Sequence, residues 1–191
     1  MNSASRGVVD VAADAATQVR VRRATAADAA GIARVHVQSW NAVYPGILPA
    51  AEIERHTLAQ RAGLWARVLQ APVTGVFVAV AADEVLGFAS TGPFRVEPAG
   101  SDGQGDGEGD GELNALYLLP MAQKQGTGRL LFDAGANALR EAGFTALRCW
   151  VLQGNPAFAF YVRLRGVRVA SKTFTVDGVA VEEHCYRFDL T

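Results

Sequence analysis

The sequence predicts an α/β (α+β) protein, a three-layer α/β/α sandwich whose helices cover both faces of a mixed, mostly antiparallel sheet. Strand-like and helix-like hydrophobic patterns follow one another in the order β-α-α-β-β-β-α-β-α-β-β. Two pairs of these strands are separated only by tight turns, so each pair is expected to form an antiparallel hairpin. The length of 191 residues, half of them hydrophobic, fits one domain with a substantial core.

The first half of the chain predicts a strand, two helices and a hairpin. Alternating apolar and charged residues over 19–23 indicate a short strand, and a capping box from Thr25 to Asp28 begins a helix that ends near Trp40. A turn at 44–46 leads to the second helix, and a tight turn at 82–84 joins two β-rich runs. The predicted bounds are 56–70 for the second helix and 75–81 and 85–90 for the two strands.

The second half predicts four strands and two helices. A strand at 112–119 precedes an amphipathic helix over 128–142, which ends at Gly143 because glycine accepts the left-handed conformation common after helices. Asp177-Gly178 indicates a hairpin turn between the last two strands. The other predicted elements are a strand at 146–152, a short helix at 156–164 and strands at 167–176 and 180–190.

Two segments are predicted to lie outside the packed domain. Residues 1–18 are small and polar, as in a flexible N-terminal tail, so the single domain spans 19–191. Residues 100–111, GSDGQGDGEGDG, predict a flexible, disordered acidic loop because glycine at this density is costly to order. The Asp and Gly alternation resembles some calcium-binding loops, but its spacing matches no EF-hand, which favours a solvated insertion.

Composition argues against several classes of protein. The formal net charge of −1 disfavours a nucleic-acid-binding protein, and no apolar run is long enough to span a membrane. The first residues contain Asp10 and Asp14 and no apolar core, unlike a signal peptide. Cys149 and Cys185 lack metal-ligand spacing and are too few for a disulfide scaffold. We therefore expect a reduced, cytoplasmic protein that binds no metal.

The most informative segment runs from a strand through a glycine-containing turn into a long helix. Gly126 and Gly128 lie where this helix begins, and the first amides of a helix are unpaired and carry partial positive charge. Lys124 and Arg129 add full charges, so the segment is suited to bind a diphosphate. The alternative is that the glycines only shape a loop before a core helix. The P-loop pattern is absent, and the dinucleotide fingerprint is incomplete and on the wrong strand.

The motif Gln123-x-x-Gly126-x-Gly128, which follows the strand-ending Pro120, resembles the signature of the GNAT superfamily of acyl-CoA-dependent N-acyltransferases. The family pattern is Gln/Arg-x-x-Gly-x-Gly/Ala. The order of predicted elements over 19–190 is also that of the family. The resemblance implies a GNAT-like fold and acetyl-CoA as co-substrate.

The resemblance also implies cofactor contacts by position. The backbone of the fourth strand, which is splayed in the family, would pair with pantetheine, and the following turn would wrap the pyrophosphate. The residues so implied are Leu116, Tyr117, Leu118, Gln123, Lys124, Gln125, Gly126, Thr127, Gly128, Arg129 and Asn155. Asn155 and Tyr161 follow the fifth strand as in the family, but their spacing is one residue shorter than the commonest pattern, and Arg165 stands where many members have Gly.

Two residues are candidates for the chemistry of acyl transfer. Tyr161, which the resemblance puts beside the sulfur, keeps its proton at neutral pH and can act as a general acid. Its alternative role is that of a core aromatic. Glu112 aligns with the general-base Glu of the family's histone-acetylating branch; its alternative is the solvated end of the acidic loop. The family polarises the thioester carbonyl at the position of the Leu118 backbone N–H.

Other residues receive less specific predictions. Trp40 and Tyr44 follow the first helix, where the family has its acceptor cleft, so they either shape the substrate pocket or pack in the core. His36 is predicted to pack on the inner side of that helix, and His184 to lie on a surface strand. Cys149 alternates inward with its apolar neighbours, which indicates a buried thiol. His56 is predicted to border a helix.

These observations lead to one expected function and one alternative. The expected function is transfer of an acetyl group from acetyl-CoA to a primary amine of a small molecule or peptide, by direct attack in a ternary complex. No cysteine or serine is placed for a covalent enzyme intermediate. The alternative is a non-catalytic acyl-CoA-binding sensor or regulatory domain. We expect no nucleic-acid or membrane partner, and a monomer or homodimer.

Overall fold

A computed structural model describes residues 18–71, 75–94 and 109–190, which form one seven-stranded sheet with helices on both faces. The strands are β1 (Arg20–Arg23), β2 (Gly75–Ala81), β3 (Glu84–Pro93), β4 (Asp110–Leu118), β5 (Ala146–Leu152), β6 (Val167–Val176) and β7 (Val179–Asp189). The α-helices are α1 (Ala29–Val43), α2 (Ala50–Glu54), α3 (Leu58–Val68), α4 (Thr127–Glu141) and α5 (Phe158–Arg163). Within the described ranges, no helix has the length and apolar character needed to cross a bilayer.

The sheet confirms the predicted mixed, mostly antiparallel pairing. Its strand order is β1-β2-β3-β4-β5-β7-β6, and only β4 and β5 pair in parallel. Both predicted hairpin turns are present. Positive φ angles at Ala82 and Asp83, and at Asp177 and Gly178, match the two-residue turns that suit the twist of antiparallel strands.

Two apolar clusters hold the helices on the sheet and confirm the three layers. On one face, Ile32 of α1 and Trp65 of α3 pack with Phe88 of β3. On the other face, Leu131 of α4 packs with Leu147 of β5, and α5 joins the same cluster. Each fully buried side chain of this kind stabilises the fold by about 1.5–3 kcal/mol, so these contacts hold helices against both faces of the sheet.

Several boundaries differ from the sequence prediction. The helix expected over 56–70 is α3, which begins at Leu58 after a capping box between Thr57 and Gln60, and the short helix α2 before it was not predicted. Helix α1 extends past Trp40 to Val43. Strand β4 begins at Asp110, inside the segment predicted as an acidic loop, and the Asp110 carboxylate accepts a 2.6 Å hydrogen bond from Arg148 Nε. The predicted tail up to residue 17 and the loop up to residue 108 lie outside the described residues.

The start of α1 is fixed by the carboxylate of Asp28. It accepts a hydrogen bond of 2.7 Å from the Thr25 backbone N–H and two of 2.8 Å from the Arg22 guanidinium. The hydrogen bonds from Arg22 lower the pKa of Asp28 from 3.8 to about 2. The edge strand β1, which contains Arg22, is therefore tied to the first helix by one buried carboxylate.

Replacing this carboxylate is expected to destabilise the fold in a pH-dependent way. Asp28→Asn should lower the free energy of unfolding by about 1–2 kcal/mol at neutral pH, the usual cost of losing a capping side chain. Because the folded-state pKa is the lower one, the stabilisation is complete above about pH 4 and disappears as the pH falls towards 2. Urea unfolding of both proteins across this range measures the difference.

Asp83→Asn provides the control for this measurement. Asp83 is exposed and forms a 3.4 Å ion pair with Arg20, so the substitution should change stability by less than about 0.5 kcal/mol. A difference between the Asp28 variant and the natural protein that stays constant from neutral to acid pH would contradict the assignment.

Candidate active site

The main feature of the site is an opening in the sheet between β4 and β5. The two parallel strands pair only from Asp110 to Glu112 on β4, opposite Ala146 to Arg148 on β5. Strand β4 continues to Leu118 on its pairing with β3, and β5 continues to Leu152 on its pairing with β7. The facing backbone edges of β4 and β5 are therefore unpaired with each other beyond Glu112. Such edges can pair with an extended ligand.

A β-bulge in β4 changes the face of the sheet on which the following side chains lie. Ser90 pairs with Ala115 while Thr91 pairs with Leu113, so Asn114 is the extra residue. Leu113 remains in the apolar cluster beneath α4, whereas Tyr117 lies with the residues of α1 on the opposite face. The bulge thus places an aromatic hydroxyl on the α1 side of the opening.

The turn after β4 leads directly into the N-terminus of α4. A short 3₁₀ turn spans Pro120–Ala122, and the backbone then adopts positive φ at Lys124 (60°) and Gly126 (85°) before the helix begins at Thr127. The first amides of α4 have no partner within the helix and carry the positive end of its dipole. They lie at the C-terminal end of β4, next to the opening.

The two glycines of the motif have different roles. A Cβ built on Gly126 would have nothing within 4 Å, so its surface is open to a ligand, and its φ of +85° suits glycine. A Cβ on Gly128 would lie 3.2 Å from Leu118 Cδ1 and 3.4 Å from the Phe160 ring. That both glycines admit a phosphate stays a prediction. Gly128 allows α4 to pack closely on β4 and α5, and Gly126 is the open position.

Most side chains of the turn that are predicted to contact the cofactor form hydrogen bonds to other groups of the protein. Gln123 Nε2 donates to the Leu118 carbonyl at 3.1 Å, and Gln125 Nε2 donates to a carbonyl of the preceding turn at 2.8 Å. Arg129 Nε binds the Asp133 carboxylate at 2.7 Å, one turn along α4. Lys124 is exposed. These contacts hold the turn in shape and occupy the side chains of Gln123, Gln125 and Arg129.

Tyr161 is buried in the cluster beneath α4 and α5, with 6% of its surface exposed. Burial raises its pKa well above the usual value, and the neighbouring Cys149 and Tyr44 add to this rise. The phenol is therefore protonated at neutral pH. Cys149 is itself 1% exposed, which confirms the predicted buried thiol.

Glu112 is also buried, with 6% exposure, so it is not the solvated end of a loop. It is the last residue of β4 that pairs with β5 and lies at the closed end of the opening. By strand alternation its side chain shares the sheet face of the Asp110 carboxylate, opposite the Leu113 side chain in the α4 cluster. The carboxylate of Glu112 is thus on the α1 side of the sheet.

An aromatic cluster lines the α1 side of the opening. Trp40 and Tyr44 have ring centroids 4.2 Å apart, and the Tyr44 hydroxyl lies 3.1 Å from that of Tyr117. Burial raises the pKa of Tyr44, whereas hydrogen bonds from Tyr117 and Asn155 oppose this rise. The structure therefore brings the two predicted substrate residues to the end of β4. Asn155 also accepts a 2.9 Å hydrogen bond from the Ala157 backbone before α5.

Two histidines belong to this cluster in their neutral forms. His36 stacks on Tyr117 at 5.1 Å, and its Nδ1 accepts a 3.1 Å hydrogen bond from the Trp65 indole N–H. Burial, with the charges of Arg61 and His56, lowers the pKa of His36 to about 3. Burial likewise lowers the pKa of His56. His36 thus carries its proton on Nε2, and its ring packs on the inner side of α1 as predicted.

The sequence analysis did not identify the contacts that His56 and Arg61, near the start of α3, make with this cluster. His56 stacks on Trp40 at 3.9 Å, receives a hydrogen bond from Arg61 on Nδ1, and contacts Glu52 through Nε2 at 3.2 Å. The indole nitrogen of Trp40 and Nε of Arg61 are buried with no hydrogen-bond partner in the part of the chain that the structure describes. No local motif signals these contacts, because they depend on how α3 packs beside α1.

The position of His184 differs from its prediction. It is 5% exposed, contacts Ser171 Oγ at 2.9 Å through Nδ1, and contacts Gln153 Oε1 at 2.8 Å through Nε2. The expected surface position failed because β7, although last in the chain, lies between β5 and β6 inside the sheet. Among the described residues, no group of three or more His, Cys, Asp or Glu side chains could hold a metal ion.

Comparison with known proteins agrees with this geometry. Residues 38–167 match the acetyltransferase (GNAT) family. The chain is 40% identical over 169 residues to the uncharacterized N-acetyltransferase YuaI of Bacillus subtilis (strain 168), covering 86% of this chain and 90% of that protein.

Solved structures share the fold at low sequence identity. An N-acetyltransferase from Staphylococcus aureus Mu50 has a TM-score of 0.69 and 19% identity, covering 92% of this chain and 100% of that one. The PaiA N-acetyltransferase of Thermoplasma acidophilum, in complex with coenzyme A, has a TM-score of 0.62 and 19% identity, covering 88% and 98%.

The chain is an α/β/α sandwich whose sheet opens beside a helix N-terminus, and its sequence matches N-acetyltransferases. These findings define the class of the protein as N-acetyltransferase. The chain belongs to the acetyltransferase (GNAT) family.

The state of His36 can be tested by nuclear magnetic resonance. Because its pKa is lowered to about 3, the ¹⁵N shifts of its ring should stay constant between about pH 8 and 5 and report a proton on Nε2. His36→Gln identifies the resonance. A titration midpoint near the ordinary value of about 6.5 would contradict the buried, hydrogen-bonded position.

Proposed function

We propose that the protein transfers an acetyl group from acetyl-CoA to a primary amine of a small molecule or peptide, by direct attack in a ternary complex. The observation that carries this proposal is the adjacency of two binding elements. The opening between β4 and β5 ends where the turn into α4 begins, so an extended ligand in the opening would bring its phosphates to the helix N-terminus. Acetyl-CoA has both parts, an extended pantetheine arm and a diphosphate.

The backbone at the end of β4 is suited to the thioester. The Leu119 N–H donates to the Leu86 carbonyl on β3, and successive N–H groups of a strand point in opposite directions. The Leu118 N–H therefore points away from β3, towards the opening. We assign it to the thioester oxygen, where a fixed donor stabilises the oxyanion of the tetrahedral intermediate. The Leu116 and Tyr117 backbone would flank the pantetheine arm.

The pyrophosphate is assigned to the turn between residues 123 and 129. The Gly126 surface is open, and the amides of Thr127 and Gly128 belong to the first turn of α4. Lys124 would add its charge directly, while the Arg129 guanidinium is shared with Asp133. The coenzyme A complex of the structurally similar PaiA supports this type of ligand.

Tyr161 is proposed to assist departure of the thiolate. A thiol has a pKa near about 8.5, below that of a buried phenol, so complete proton transfer from Tyr161 would be uphill. The phenol instead contributes mainly a hydrogen bond to the sulfur as negative charge develops there. Its burial keeps this donor protonated and in place between turnovers.

The acceptor amine is proposed to enter from the α1 side. Trp40 and Tyr44 line that side, and Glu112 lies at the closed end of the opening on the same face of the sheet. A carboxylate there can take the ammonium proton, directly or through water, so that the neutral amine attacks the carbonyl carbon. The C–N bond forms, the C–S bond breaks, and the second proton lost by the nitrogen passes to the sulfur, so that coenzyme A leaves as the thiol.

The function is tested by thiol release in the presence of acetyl-CoA and a panel of primary amines. Tyr161→Phe should lower turnover by about 10²-fold while acetyl-CoA affinity, measured by calorimetry, changes little. Tyr186→Phe is the matched control, because its ring stacks near that of Tyr161 at 6.4 Å and is equally buried. Equal turnover of both variants would remove Tyr161 from the mechanism. Tight binding with no release for any amine would favour the sensor function.

The diphosphate site is tested by a pair of glycine variants on one helix. Gly126→Val should abolish acetyl-CoA binding, because the side chain would fill the open surface of the turn. Gly143→Val, at the opposite end of α4, has a similar φ of +92° and equally open surroundings. It should lose similar stability through backbone strain but retain binding. Retained binding in the Gly126 variant would place the phosphates elsewhere.

A further inference from the structure

An ammonium group of the protein itself lies beside the opening. Lys172 on β6 has its Nζ 4.4 Å from the centroid of the Trp150 ring and 3.1 Å from Glu183 Oε1. An aromatic face together with a carboxylate is a recognised way to bind an ammonium. This site for an amine is therefore built into the sheet, and a lysine of the same chain occupies it.

The register of the sheet locates this site relative to the opening. Trp150 lies two residues beyond Arg148, the last residue of β5 that pairs with β4, so it stands on the strand that borders the opening. Glu183 pairs with Leu152 of β5 on one side and with Lys172 of β6 on the other. Two strand spacings of about 4.8 Å separate β6 from β5, and the lysine stem spans them to reach the Trp150 ring.

The Lys172 site lies on the acceptor side of the sheet. By strand alternation Trp150 points away from the face of its neighbour Cys149, which packs in the cluster beneath α4. Tyr44 packs in one apolar cluster with Leu152 of β5, the residue that pairs with Glu183. Tyr44 in turn contacts Tyr117 at the end of β4.

Composition makes this lysine stand out. The sequence contains 18 basic residues but only two lysines, Lys124 and Lys172. Lys124 lies in the turn assigned to the pyrophosphate. Lys172 is therefore the ε-amine that the fold brings to the acceptor side, on a flexible four-carbon stem.

We propose that Lys172 is an acceptor of this enzyme, so that the protein acetylates its own chain at this residue. The proposal rests on the acetyl-CoA-dependent activity proposed above. Glu183 takes a proton from the ammonium, and neutral Nζ attacks the thioester carbonyl carbon. The N–C bond forms, the C–S bond breaks, and the second proton lost by Nζ passes to the departing sulfur, which leaves as the thiol of coenzyme A. The product is an Nε-acetyl-lysine that no longer carries the charge paired with Glu183.

The test incubates the purified full-length protein with trideuterated acetyl-CoA and follows its intact mass. The label distinguishes new acetylation from any acquired during expression, and fragment mass spectrometry locates it. We expect one labelled acetyl group per chain on Lys172. Lys172→Arg keeps a cation at the site but cannot accept the group, so labelling should be lost while acetyl-CoA binding is retained. Glu183→Gln should slow labelling at least about tenfold through loss of the base.

Two further readouts separate the possible failures. Heat-unfolded protein should not be labelled, because the reaction requires the folded site. Equal labelling of folded and unfolded protein would show that the lysine reacts with acetyl-CoA without the fold, and it would overturn the proposal. Label on Lys124, Ser171 or the N-terminal amine in place of Lys172 would overturn the proposal. So would thiol release with a diffusible amine but no label on the chain, which leaves the proposed function intact. Failure to bind acetyl-CoA in calorimetry would overturn both.

Discussion

The structure depends on one feature of backbone pairing: the parallel contact between β4 and β5 ends after three residues. If these strands stayed paired to their ends, the N–H of Leu118 would bond to β5 and no backbone edge would face a ligand. Because they separate, the described parts of β4 and β5 do not pair with each other beyond Glu112, and the facing backbone edges in the middle of the sheet can accommodate an extended ligand. The active-site assignments all refer to this opening.

The reasons for the separation are visible in the neighbouring elements. A bulge at Asn114 bends β4 two residues beyond its last pairing with β5. Helix α4, which connects the two parallel strands, packs against β4 closely enough that a side chain at Gly128 would press on Leu118. The helix begins at the end of β4, so its N-terminal amides and the opening form one continuous surface. Gln123 ties the turn to the Leu118 carbonyl and keeps the two parts together.

Much of the fold could be predicted from the sequence because its signals are local. Asp177-Gly178 predicted the last hairpin turn, and Gly143 predicted the end of α4. The short helix α2 was missed because its five residues are too few for a helical apolar periodicity to be recognised. The burial of His184 was missed because strand order in a sheet does not follow chain order. No local pattern reports such non-local facts.

The candidate site, like the fold, could be predicted from the sequence only in part. The Gly126 motif could be found in the sequence, but the residues alone left it open whether the glycines bind a ligand or shape a loop, and the difference between Gly126 and Gly128 required coordinates. Tyr161 and Glu112 depended on family resemblance. The contacts of His56 and Arg61 with Trp40 arise from helix packing and have no counterpart in the sequence pattern.

Amide hydrogen exchange with and without acetyl-CoA tests the central claim most directly. The account predicts that ligand slows exchange in two short segments, the end of β4 at 116–118 and the turn at 123–128. These are the backbone groups that would bond to pantetheine and phosphate. Unchanged exchange in both segments at saturating acetyl-CoA would contradict the claim that the β4–β5 opening receives the cofactor.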